Sequence, residues 1–207
     1  MARHGSRITA LAAGIVALLA AAPARATFHE WQIEQIFSNA DGTIQYVEFK
    51  TGAPGQNFLT GHVLDSDQGA TVLDAFTFPS DLDHLVSTAG RSFLAATPAF
   101  AAAAGIQPDY DQLPAGFIHI GTTDTILIVG SITTPFTFAP PALPTDGVHA
   151  LDASAGFPAV VADNTPTNFA GETGHIVPEP DASALAAAAL GALALLARRR
   201  ARREAAR

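Results

Sequence analysis

Residues 31–49 read Trp31-Gln32-Ile33-Glu34-Gln35-Ile36-Phe37-Ser38-Asn39-Ala40-Asp41-Gly42-Thr43-Ile44-Gln45-Tyr46-Val47-Glu48-Phe49. Trp31, Ile33 and Phe37 share one parity of the first run, and in the second Gln45, Val47 and Phe49 alternate with Ile44, Tyr46 and Glu48. That is the period of a strand, not of a helix. Between the runs, Ser38 to Gly42 are residues that tolerate positive φ or bond their own backbone, as a hairpin connection requires. A β-hairpin is predicted to open the fold.

Working outward, similar short runs of β-branched and aromatic residues lie near Gly61 to Asp65, Val72 to Phe78, Arg91 to Ala96, Phe117 to Ile120, Thr125 to Val129, Phe136 to Phe138 and His149 to Asp152, with Gly, Pro, Asp and Asn between them. The spacing predicts an all-β, two-sheet sandwich. One short helix interrupts it: Thr97 suits the N-cap, Pro98 the first turn, Ala99 to Ala104 the body and Gly105 the stop. The helix is expected to bridge two strands at one end of the sandwich. Repeats of 20 to 50 residues are not evident, which disfavours solenoids and propellers.

Both ends of the chain differ from this middle. Arg3 and Arg7, then an uncharged apolar stretch from Ile8 to Ala22, then Ala24-Arg25-Ala26, have the layout of a secretory signal peptide over residues 1–26, with the mature chain beginning at Thr27. At the other end, Val177-Pro178-Glu179-Pro180 precedes an Ala/Leu run from Ala182 to Ala197 and then Arg198, Arg199, Arg200, Arg202 and Arg203. As a helix the apolar run would rise roughly 24 Å, somewhat short of a hydrocarbon core of about 30 Å, so it is expected to be a weak transmembrane anchor. The arginines favour the cytoplasmic face, which leaves the preceding domain outside. Pro178 and Pro180 keep the peptide between them extended and open to a processing enzyme.

Setting these segments aside changes the charge. Residues 27–180 hold seventeen acids against Lys50 and Arg91 alone, a formal charge of −15. Such a surface repels phosphate backbones and excludes nucleic acid as an expected partner. The chain has no Cys, so burial and not disulfides must hold the domain, and thiol chemistry is excluded.

Val177 to Arg203 resembles the PEP-CTERM sorting signal of exported bacterial proteins, and residues 177–207 are assigned to it. The resemblance implies cleavage near Pro178-Glu179-Pro180 by an exosortase-like membrane enzyme, after signal peptidase has acted at the other end. It further implies delivery to the cell surface or an extracellular matrix, often one rich in extracellular polysaccharide. The hairpin at 31–49 is similar to the opening of lamin-tail-like domains, which implies an immunoglobulin-like β-sandwich over residues 27–176. Leu113-Pro114-Ala115-Gly116-Phe117, Leu143-Pro144-Thr145-Asp146-Gly147 and Asn168-Phe169-Ala170-Gly171 resemble segments of exported proteins that pair such a hairpin with this C-terminal signal.

Chemistry-bearing residues are sparse. His29, His62, His84, His119, His149 and His175 are spread singly along the mature chain, and none forms a His-x-x-x-His or His-Glu-x-x-His pair; a zinc site would have to be assembled from distant strands. Gly-x-Ser-x-Gly is absent, and Ser92, Ser131 and Ser154 lie in strand or loop contexts. Asp81 with Asp83, and Asp109 with Asp111, are carboxylate pairs of the kind glycoside hydrolysis uses. Asp65-Ser66-Asp67-Gln68-Gly69 places two carboxylates beside a turning Gly, a partial calcium loop lacking a later bidentate Glu; Asp65 and Asp67 are the expected ligands, and no other cofactor is expected. Trp31, Tyr46 and Tyr110 are the aromatics available to stack on sugars, although hairpin packing competes for the first two. The expectation is a non-enzymatic exported protein, a structural or binding module at the cell surface. A secreted polysaccharide hydrolase and a calcium-dependent adhesive module are the alternatives.

Overall fold

The predicted hairpin pairs β1 (Gln32–Ser38) with β2 (Gln45–Thr51). Its connection is locked by side chains: Asn39 Oδ1 accepts the Ile44 N–H at 3.0 Å, and Asp41 Oδ1 accepts the Thr43 N–H and hydroxyl at 3.1 and 2.6 Å. Gly42 turns the chain at φ +71°, a conformation in which any other side chain would be strained, so the position suits glycine. The computed structural model describes residues 28–177 and the single position 190.

Along the chain there follow β3 (Val63–Gln68), β4 (Thr71–Thr77), β5 (Arg91–Ala96), the helix α1 (Phe100–Ala104), β6 (Asp124–Ile128), β7 (Phe136–Phe138), β8 (His149–Asp152) and β9 (Val160–Asp163). They form two antiparallel sheets, ordered β5-β2-β1-β8-β9 and β4-β3-β6-β7. The main core lies between the sheets. Ile33, Ile36, Val47, Phe49, Phe93 and Leu151 from the first meet Leu64, Phe76, Ile126, Ile128, Phe136 and Phe138 from the second. The chain is thus a two-sheet β-sandwich with one short helix.

A bulge between Ile33 and Gln35 alters the parity read from sequence. It brings Ile33 and Ile36 to the same core and turns Phe37 to the opposite face, where it stacks on Tyr46. That second face is covered as well. Phe100 and Ala104 of α1, together with Ile176, pack on Phe37, Tyr46, Leu94, Ala96 and Ala150. The helix therefore lies over the outer face of the five-stranded sheet and does not simply bridge two strands. Gly105 ends it in the left-handed region, as expected, but Thr97 does not cap it: its hydroxyl accepts the Gln45 N–H at 3.1 Å, and the N-cap position is Ala99.

Three further sequence readings change. Residues 117–120 form no strand, because the Gln45 side chain occupies both sides of the Ile118 peptide, donating to its carbonyl at 2.8 Å and accepting its N–H at 3.1 Å. Asp65 and Asp67 belong to strand β3, and the turn is confined to Gly69 and Ala70. β9, unanticipated from its short sequence, forms an edge beside β8.

After β9 the chain runs as a strap from Asn164 to Val177 and closes the outer face. The buried Asn164 amide holds both polar groups of Ile176, accepting its N–H at 2.6 Å and donating to its carbonyl at 3.0 Å. Gly174 lies so close to the end of α1 that a Cβ there would sit 2.7 Å from the Ala104 carbonyl oxygen. Among the described residues no helix is long and apolar enough to cross a membrane, and the Ala182 to Ala197 run lies outside them.

Candidate functional site

Three of the four paired acids, Asp81, Asp83 and Asp109, line one open cleft of about 510 Å³. Asp81 and Asp83 come from the segment after β4, Arg91 from the first position of β5, Tyr110 from a segment bridged to β5, and Phe169 from the strap. Asp111 is exposed and does not line the cleft.

Asp109 joins two walls of this cleft. Its carboxylate accepts the Leu94 N–H at 2.8 Å and the Phe169 N–H at 3.0 Å. Burial nevertheless dominates and raises its pKa to about 6, with the two backbone donors opposing. At Asp81 the balance runs the other way: burial pushes up, but the Thr60 hydroxyl and N–H at 2.6 and 2.8 Å hold the carboxyl below its usual range. Arg91 lies 5.4 Å over the Phe169 ring and donates to the Phe169 carbonyl at 2.9 Å. Among the described residues it makes no ion pair, whereas Lys50 is bound to Glu34 at 2.8 Å. The cleft thus holds acceptor oxygens, a guanidinium with spare donors and the edge of an apolar wall, groups that can both donate and accept hydrogen bonds.

The aromatics expected as sugar platforms are withdrawn from solvent. Trp31 is 1 % exposed, Tyr46 0 % and Tyr110 3 %. Each polar atom is also committed: Trp31 Nε1 to the Gln56 carbonyl at 2.8 Å, the Tyr46 hydroxyl to Gln35 Oε1, and the Tyr110 hydroxyl to the Ser80 carbonyl at 2.9 Å. They pack the interior, and of the three only Tyr110 borders the cleft, beside Phe169.

On β3, Asp65 and Asp67 sit at alternate positions of a strand. Burial first, and then the neighbouring Asp67, raise the Asp65 pKa. Among the described residues no group of three or more His, Cys, Asp or Glu side chains converges as a metal site, so no further carboxylate joins this pair. The fold brings His29 and His62 together on the Phe28 ring, whereas His119 Nε2 meets Asp74 at 3.0 Å and His149 Nδ1 meets Asp146 at 2.5 Å. Ser92 is buried beside Glu48, Ser131 bonds the His29 carbonyl at 2.9 Å, and Ser154 is exposed; none is paired with a histidine as a nucleophile requires.

A buried carboxyl that sequence reading passed over is Glu48. It lies beneath the strap, accepts the Thr167 N–H at 3.3 Å, and is only 5 % exposed. Burial raises its pKa to about 7, with Ser92 opposing. The alternation of β2 pointed Glu48 away from the main core, and only the position of the strap reveals that this face too is dry.

Of the sorting residues, Val177 is exposed at the rim of a second cleft of about 750 Å³, between the hairpin loop, α1 and Asp146. Pro178, Glu179, Pro180, Arg198, Arg199 and Arg200 lie outside the described residues, as do Ala24, Ala26 and Thr27. No family model, curated protein or solved structure matches the chain.

Proposed function

We propose that this chain is a non-enzymatic exported protein whose sandwich, of immunoglobulin-like and lamin-tail-like kind, is sorted through its C-terminal signal and displayed at the cell surface or in an extracellular matrix. The observation that supports this reading is that the sandwich is packed up to the residues beside both signals. Phe28 is buried in the main core and Ile176 in the outer one, where the Asn164 amide holds it. Cutting after Ala26 and near Pro178-Glu179-Pro180 would leave both of these residues in the domain. The acid-rich domain would leave the membrane intact, with signal peptidase and an exosortase-like enzyme as its processing partners. Intact-mass analysis of the protein from surface and medium fractions tests this: termini at Thr27 and near Pro178 are expected, whereas recovery of the full chain from the cytoplasm alone would end the proposal.

The cleft favours a second reading, a secreted protein that binds or hydrolyses polysaccharide. Asp109, raised to about 6, and Asp81, held low, line one opening, and acids driven apart in this way are suited to donating and accepting protons. Screening the exported protein on a panel of neutral and acidic glycans separates the two readings. Turnover abolished by both Asp109→Asn and Asp81→Asn identifies a hydrolase; retention without turnover identifies a binding module; neither result leaves the first reading standing.

A further inference from the structure

The loops at one end of the sandwich are tipped with exposed apolar side chains. Strand pairing gathers the start of β1, the end of β2 and the start of β5 at this end, with Gln32 opposite Lys50 and Thr51 opposite Arg91. The loops here carry Phe58 between β2 and β3, Leu85 between β4 and β5, Ile132 between β6 and β7, and Phe157 between β8 and β9. Leu85 is 91 % exposed and Ile132 78 %, both Phe side chains are about half exposed, and Val129 and Val160 are exposed at the same end. Among the described residues, the loops at the opposite end, 39–44, 69–70, 97–123 and 139–148, expose no large apolar side chain. We propose that the apolar-tipped end docks the protein on a zwitterionic lipid surface, with Phe58, Leu85, Ile132 and Phe157 entering the boundary between headgroups and acyl chains. This inference requires neither the cleft nor the sorting signal.

These tips are held in place by the fold. The buried Asn57 donates its side-chain amide to the Asp83 and Val86 carbonyls at 2.7 and 3.1 Å, which ties the Phe58 loop to the Leu85 loop. The His29 carbonyl, just before β1, accepts the Ile132 N–H at 3.3 Å and the Ser131 hydroxyl at 2.9 Å. The Phe157 ring stands edge-on to the buried Phe136 at the start of β7, with centroids 5.3 Å apart. Three features select lipid as the occupant. First, the tips are divided among four loops that run from the β4 and β5 edges to the β7 and β9 edges, whereas a stable protein pair draws on about 20–30 residues a side over one complementary surface. A lipid boundary needs no shape match, so separated side chains each reach an apolar medium on their own. Second, a further copy of a domain that carries a formal charge of −15 over residues 27–180 is repelled. Third, Lys50 and Arg91, the only bases of that region, both lie at this end, among Glu30, Asp81 and Asp83. A rim of both signs complements headgroups that carry both, while the remaining acids repel an anionic leaflet.

The test uses the full chain carrying Leu85→Trp and, separately, Ala70→Trp at the β3–β4 turn of the opposite end; Trp31, the one native tryptophan, is buried and common to both. With vesicles of phosphatidylcholine brominated in the acyl chains, Leu85→Trp emission should move to the blue and be quenched, and Ala70→Trp emission should not. Adding Ile132→Asp to the Leu85→Trp reporter should raise the lipid concentration needed for half-quenching by about tenfold. Urea unfolding checks that this variant keeps its fold, and where it does not, Leu85→Asp with Ile132→Trp as reporter is read in the same way. Phosphatidylglycerol added at low salt should weaken the quenching, and a stronger signal would overturn the zwitterionic assignment. Equal quenching of both reporters would show that the apolar terminal runs of the sequence hold the protein without orienting it, which overturns the proposal. An unquenched Leu85→Trp, or one that Ile132→Asp leaves unmoved, overturns it too. A blue shift without lipid, together with sedimentation as a dimer, assigns this end to a second copy instead.

Discussion

Glu48 shows how one side chain sets the response of the domain to pH. Its carboxyl titrates near 7 in the folded chain against 4.5 when free, so folding favours the protonated form. The stabilisation is complete below about pH 4.5 and is lost as pH climbs through about 7, a swing on the order of 3 kcal/mol. Asp109, raised to about 6, and Asp124, raised chiefly by burial, act with the same sign. Asp41, Asp81 and Asp146 are held low and act oppositely, but only as pH falls into the ordinary carboxylate range and below. Urea unfolding should therefore show greatest stability near about pH 5 and a decline toward pH 8. Glu48→Gln, which resembles the protonated acid, should remove most of that decline; an equally steep decline in the variant would show that Glu48 is not its source. Sequence alone exposes little of this. The polarity of Glu48 in an alternating strand places it on a face that looks solvated, and only residues 164–177, more than a hundred positions later, cover it.

Among the elements, the hairpin was legible because its signals are local: alternating apolar residues, and Asn39, Asp41 and Gly42 bonding within the turn. β5, β7 and β8 were read at their observed limits for the same reason. The strap was not legible. It lacks the period of either regular structure, and its hydrogen bonds run to side chains such as Gln35 and Glu48, distant in sequence. The bulge at Ile33 to Gln35 was equally hidden, since its register depends on the facing strand. The docking of the strap can be tested at two positions. Asn164→Ala leaves the Ile176 N–H and carbonyl without their side-chain partner, while the Val148 carbonyl keeps the Asn164 backbone N–H, and should cost about 2 to 4 kcal/mol. Gly174→Ala forces a methyl toward the Ala104 carbonyl and should cost about 1 to 3 kcal/mol. Denaturant midpoints check both, and a change below about 0.5 kcal/mol in each would mean that the strap contributes little to the fold.

For the molecule as a whole, charge is the dominant sequence-level feature, and most of it is unopposed. Seventeen acids against two bases in residues 27–180 repel one another across a small sandwich. Raising sodium chloride from about 10 mM to about 0.5 M should screen that repulsion and raise the melting temperature by a few degrees. Calcium at about 1 mM should add nothing beyond the ionic-strength effect if Asp65 and Asp67 act alone, because an ion that takes 6–8 oxygen ligands finds only a pair of carboxylates on a strand. A calcium-specific shift, absent with magnesium, would instead establish a site there. The fold class followed from composition and period, but the cleft did not: Asp81, Arg91, Asp109 and Phe169 are far apart in sequence, and only the pairing of β5 with its neighbours gathers them.

The grip of Asn164 on Ile176 also has a mechanical meaning. Any tension applied beyond Val177 reaches that one amide before it reaches either sheet. Under load the strap would peel first, laying Glu48 open to water while the sandwich behind it stayed shut. Pulling single molecules by their two ends would reveal this as a short early extension preceding the main rupture, and Asn164→Ala would erase it.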